Sequence, residues 1–118
     1  MKFKKAKRTL ILSDIHLSVP EPRTISRPLW KKFSREEYFI DQHFAKLLNL
    51  ASLKHPKGVE LILAGDIFDF DSVLQTPQNP DFPVNWLEHL RGLNSEEAKS
   101  LYKISLIIGQ HPVFIEAL

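Results

Sequence analysis

Residues 9–18, TLILSDIHLS, and residues 59–71, VELILAGDIFDFD, decide the reading of this chain. Each is a short run of branched apolar residues that ends abruptly in carboxylates. Such a run, bounded by polar residues, is the signature of a strand buried in a parallel sheet. The pattern predicts a first strand that turns into loop at Ser13 or just after, and a second over VELILAGD.

The segment between them supplies the crossover. Residues 18–33, SVPEPRTISRPLWKKF, hold three prolines and read as loop. Ser34 followed three residues later by Glu37 predicts a helix start, because each side chain can satisfy a backbone N–H that the first helical turn leaves orphaned. Ile40, Phe44, Leu47, Leu48 and Ala51 then recur at helical spacing and give one face to lay on a sheet. The HPKG segment ends this helix through Pro56 and Gly58. Strand, helix and strand in this length make a right-handed βαβ unit with its strands parallel.

Downstream, residues 71–85 are rich in Pro, Asn, Asp and Gln and read as a second long loop, of a length usual for functional or disordered segments. Asn94 as N-cap and Glu97 at the third helical position predict another helix. Its expected face is Ala98, Leu101, Tyr102, Ser105 and Ile108, and Gly109 is expected to close it. HPVFIEAL begins a last helix with Pro112 at its first position.

Composition narrows the function classes. At 118 residues the chain is one domain. Hydrophobic residues at 43% and charged residues at 25% exclude a disordered or fibrous chain. The net charge of +2 is small, and its basic residues sit mainly in MKFKKAKR and RTISRPLWKK. No continuous basic helix face results, which argues against nucleic acid as a partner. There is no cysteine, so any metal must be held by oxygen and nitrogen. No segment has the apolar length of a membrane span or a signal sequence, and the expected location is the cytoplasm.

The carboxylates and the histidine then point to an ion. In extended backbone, side chains two apart point the same way, so Asp14 and His16 are expected to reach one ion together. Parallel strands of one βαβ unit carry their C-terminal ends to the same sheet edge, which brings Asp66 there too. An Asp, His, Asp set suits manganese, iron, zinc or magnesium.

With DIH at 14–16 and GDIFD at 65–69, each at a strand end, the chain resembles the N-terminal part of the calcineurin-like metallophosphoesterases. The family pattern is D-x-H, then G-D-x-x-[DE], then G-N-H-[DE], and later histidines including G-H-x-H. GDIFDF is similar to the bacterial branch that includes the UDP-diacylglucosamine pyrophosphatases. The resemblance implies an α/β fold, with residues 1–118 as the N-terminal βαβα portion of the family's αββα sandwich, incomplete as a single domain. It implies that Asp14 and His16 bind the first of two divalent ions, that Asp66 bridges both, and that Asp69 supports them or anchors the loop. It implies hydrolysis of a phosphomonoester, phosphodiester or pyrophosphate in a phosphorylated substrate of unknown class.

Neither G-N-H nor G-H-x-H occurs in this sequence. The expectation is therefore a chain inactive alone, completed by self-association or by a second chain. The alternative is a non-catalytic binding or assembly module that keeps the βαβ core. Gly109, Gln110 and His111 mimic G-N-H, but Gln110 replaces Asn, Pro112 replaces the acid, and helical spacing precedes them; His111 is expected outside the site, at a helix start. His43, His55 and His89 have no acid at ligand spacing. Arg23, Arg27, Trp30, Lys31 and Lys32 lie in the first loop, where they could meet a phosphorylated or lipid-like group.

Overall fold

The computed structural model describes residues 8–20 and 36–118. Ser34 and the Arg23, Arg27, Trp30, Lys31 and Lys32 group lie outside the described residues. Two strands, β1 (Thr9–Ser13) and β2 (Glu60–Ala64), pair in parallel from Thr9 opposite Glu60 to Ser13 opposite Ala64. Both strands end where the apolar runs meet polar residues. The helix α1 (Asp41–Lys54) makes the crossover between them. The chain is thus mixed α/β around a two-stranded parallel sheet.

The core lies on one face of that sheet. Leu17, Val19, Phe44, Val73, Ile107 and Phe114 are buried together, with Leu12, Leu61 and Leu63 of the strands packed against them. A last helix, α4 (Pro112–Ala117), packs along α1. Its Phe114 ring stacks on Phe44 with centroids 4.0 Å apart, and burying each ring contributes about 1.5 to 3 kcal/mol. Because side chains alternate along a strand, Ile11 and Ile62 point the other way. They are paired directly and stand 63% and 41% exposed. A parallel sheet normally has both faces covered; here the described residues cover one.

Three elements differ from expectation. The first helix begins at Asp41, after a 3-10 turn at Glu36–Tyr38. Its start is fixed by tertiary contact, because Asp41 is buried against His111 and Phe39 lies on the same imidazole, ring centroids 4.2 Å apart. Its inner face carries Asp41, Phe44 and Leu48, while Leu47, Leu50 and Leu53 are exposed. Second, α3 (Glu97–Gln110) starts later than Asn94 and runs through Gly109. Asn94 instead accepts from the Glu96 N–H in a short turn ahead of the helix. The buried face of α3 is Lys99, Lys103 and Ile107, and Leu101 is 64% exposed.

Third, a short helix α2 (Trp86–Arg91) follows the second loop. Its signal was present as Asn85 and Glu88, which form the reciprocal capping box at 2.9 and 3.0 Å. Gly92 closes it at φ 89°, where a Cβ would meet the Val73 carbonyl oxygen at 2.8 Å.

Candidate metal centre

The site is built where the two strands stop. Hydrogen bonding between the strand ends continues past the sheet: the His16 N–H donates to the Asp66 carbonyl at 2.9 Å, and the Leu17 N–H to the Ile67 carbonyl at 2.7 Å. The Asp69 N–H donates back to the Leu17 carbonyl at 2.9 Å. The DIH and GDIFD segments are therefore zipped to each other.

This zipping takes an unusual backbone. Asp14 and His16 both have φ 53°, and Gly65 has φ 62°. Glycine enters the left-handed region without penalty, but for other residues it costs about 1 kcal/mol or more. The expectation that Asp14 and His16 converge through extended backbone is corrected: both lie past the end of β1 and converge through two left-handed residues. A straight strand would have carried them away along the strand axis instead of turning them toward Asp66.

Asp14, His16 and Asp66 are exposed, and one donor atom from each lies within 4.8 Å of the other two. Donors on opposite sides of an ion stand about 4.2 Å apart, and neighbours in a tetrahedron about 3.4 Å. Side-chain rotations of about an ångström would close the three on one ion, so the donor set fits a divalent cation of the oxygen- and imidazole-binding kind. No lysine or arginine among the described residues forms an ion pair with Asp14 or Asp66.

Asp69 serves this arrangement from the side. Its Oδ1 accepts from the Ser72 N–H at 3.0 Å and caps the 3-10 turn Phe70–Ser72, while its Oδ2 stands 4.0 Å from His16 Nδ1. At that separation the two are not hydrogen-bonded, and the carboxylate lies beside the imidazole as a nearby negative charge.

His111 belongs to a different constellation. Its ring is 1% exposed, with Nδ1 2.8 Å from Asp41 Oδ2 and Nε2 2.7 Å from the Ser18 carbonyl. A carbonyl only accepts, so Nε2 carries a hydrogen. Both ring nitrogens are thus committed to protein partners, although His16 and His111 line one small cavity of about 160 Å³. The pair spans 70 residues, and no local pattern in the sequence announces it. His55 accepts from Arg8 Nε at 3.2 Å, and His89 pairs with the Thr76 hydroxyl at 3.2 Å, both away from the cluster.

No helix among the described residues is long and apolar enough to cross a membrane. Compared with protein-family models, with curated proteins and with solved structures, the chain finds no match.

Proposed function

We propose that Asp14, His16 and Asp66 hold a divalent metal ion, and that the chain provides this part of a phosphoester-hydrolysing site of the metallophosphoesterase type. The observation that supports the reading most is the pair of left-handed non-glycine residues. Backbone strain of this kind persists where the surrounding structure enforces it, and here it turns two ligand types toward a third. Two exposed carboxylates also repel each other at this separation, and a cation would relieve that repulsion.

When bound, a divalent ion lowers the pKa of its water toward neutrality and neutralises charge on phosphoryl oxygens. The chain's own contribution is to present two carboxylates and one imidazole on a frame tied by three backbone hydrogen bonds. Asp69 lies 4.0 Å from the His16 ring and adds negative charge beside it, and the exposed edge leaves room for a phosphorylated substrate. Three donors suffice for one ion; the second ion of a binuclear site needs donors from elsewhere. Without them the chain is expected to bind metal and to turn over little.

The test is titration of purified, chelator-treated protein with manganese and with zinc. A saturable site lost in Asp66→Asn supports the reading, and an unaltered chain that binds neither ion rejects it. A generic aryl phosphodiester assay with excess manganese then reports whether the chain reaches catalysis. Metal-dependent turnover abolished by Asp66→Asn would mean that a second copy supplies the remaining donors. A non-catalytic assembly module would instead bind metal and show no turnover in any assembly state.

A further inference from the structure

A second polar feature lies on the other side of the 3-10 turn that follows Asp69. Lys103, on the buried face of α3, is only 5% exposed. Unlike its neighbour Lys99, which bonds Glu88 at 2.8 Å and Glu96 at 3.2 Å, Lys103 has no hydrogen bond or ion pair among the described residues. A buried, unpaired ammonium is unfavourable. Burial accordingly pushes the Lys103 pKa down, while the negative charges of Asp71 and Glu88 act in the opposite direction.

Lys103 lines a cavity of about 560 Å³ together with Phe70, Asp71, Leu93, Ser95 and Ser100. That volume lies within the usual range of small-molecule pockets, about 300 to 1,000 Å³. Phe70 and Leu93 bring apolar side chains to this lining, and Ser95 and Ser100 bring hydroxyl groups. Asp71 has a partner of its own, but its carboxylate on the same wall limits the negative charge a ligand can bring.

We infer that the cavity between the Phe70–Ser72 turn and α3 binds a small organic anion of single charge. The oxyanion, a carboxylate or a phosphodiester, sits on the Lys103 ammonium and its apolar body rests against Phe70 and Leu93. This site uses none of Asp14, His16 or Asp66, and it stands without an ion there. It gives the buried lysine a direct ion-pair partner, which no described residue provides.

The experiment is a titration of the full chain, with chelator present, followed by NMR of the ligand. Benzoate and methyl phenyl phosphate are the anionic probes, and benzamide is the neutral control. Saturable binding of either anion is expected, with a dissociation constant on the order of 1 to 10 mM for so small a ligand. The stronger of the two identifies the oxyanion. Lys103→Met should weaken it at least about tenfold, the scale of losing a hydrogen bond to a charged group. In the unaltered chain, carbon-13 signals of the Lys103 side chain should move on adding the anion, a readout that does not depend on the variant's folding. The inference is overturned if neither anion binds, if benzamide binds as well as benzoate, or if the Lys103 signals stay still at saturation.

Discussion

At Glu88 a carboxylate only 5% exposed is surrounded by donors, whereas at the strand ends Asp14 and Asp66 stand exposed, gathered around one imidazole. Glu88 accepts from the Asn85 and Asn94 N–H groups at 3.0 and 3.1 Å and from Lys99 at 2.8 Å. Its pKa is lowered to about 2, first by the Lys99 hydrogen bond and then by those two backbone donors. The same residue class is thus fully satisfied where α2 meets α3 and held among like charges where β1 meets β2. Satisfied charge locks elements together, whereas the gathered carboxylates at the strand ends have no lysine or arginine ion pair among the described residues.

That contrast can be broken most severely at His111. Replacing it with Ala removes a buried ring bonded to both Asp41 and the Ser18 carbonyl and takes this partner from the buried Asp41 carboxylate, and the expected loss is about 3 kcal/mol of unfolding free energy. Urea denaturation measures it. A loss under about 1 kcal/mol would move His111 out of the structural class.

Asp66→Asn and Asp14→Asn probe the other side. Each should weaken manganese binding at least about tenfold, or about 1.4 kcal/mol. Metal-free stability should hold or rise, because repulsion is relieved. Should either variant lose stability on the scale expected for His111→Ala, the cluster would be a structural network after all.

Acid sharpens the comparison at Glu88. A carboxylate whose folded pKa is depressed contributes stability above its unfolded pKa and loses it as pH falls through the folded value. The window runs from 4.5 down to about 2. Stability of the unaltered chain should fall across it, and the Glu88→Gln profile should be flatter there. Parallel profiles would show that the Lys99 contact carries little.

The smallest effect is expected from His16→Gly. Removing the side chain relieves a left-handed non-glycine residue, and a gain of about 0.5 kcal/mol in the metal-free chain should remain after glycine's greater unfolded freedom. Thermal denaturation with chelator present checks it; a loss would mean that the imidazole contributes to the fold.

What could be read in the sequence follows the range of the interactions. β1, β2 and the arrival of Asp14, His16 and Asp66 at one sheet edge rest on local runs and on a topological rule, so two short stretches predicted them, though not how the side chains converge. The left-handed turns at Asp14 and His16 could not be seen, since neither residue demands that conformation. The inner face of α3 was misread because Lys99 and Lys103 look like solvent residues by type. Lys99 is inside because Glu88, 11 residues earlier, waits there with a charge to match. Nothing local links Asp41 to His111. The missed α2 was legible in the Asn85 to Glu88 spacing.

The pairing of Thr9 with Glu60 joins residues 51 positions apart. Such a contact forms only after a long loop has closed, which makes it a late and costly event in folding. The three donors are brought together by that same closure, so the unfolded chain has no site. An ion that binds there favours the folded state by mass action, by about 2.7 kcal/mol at a hundredfold excess over its dissociation constant. In a two-stranded sheet that the described residues cover on one face, the ion would act as a clasp on the crossover, and its removal should speed unfolding as well as empty the site.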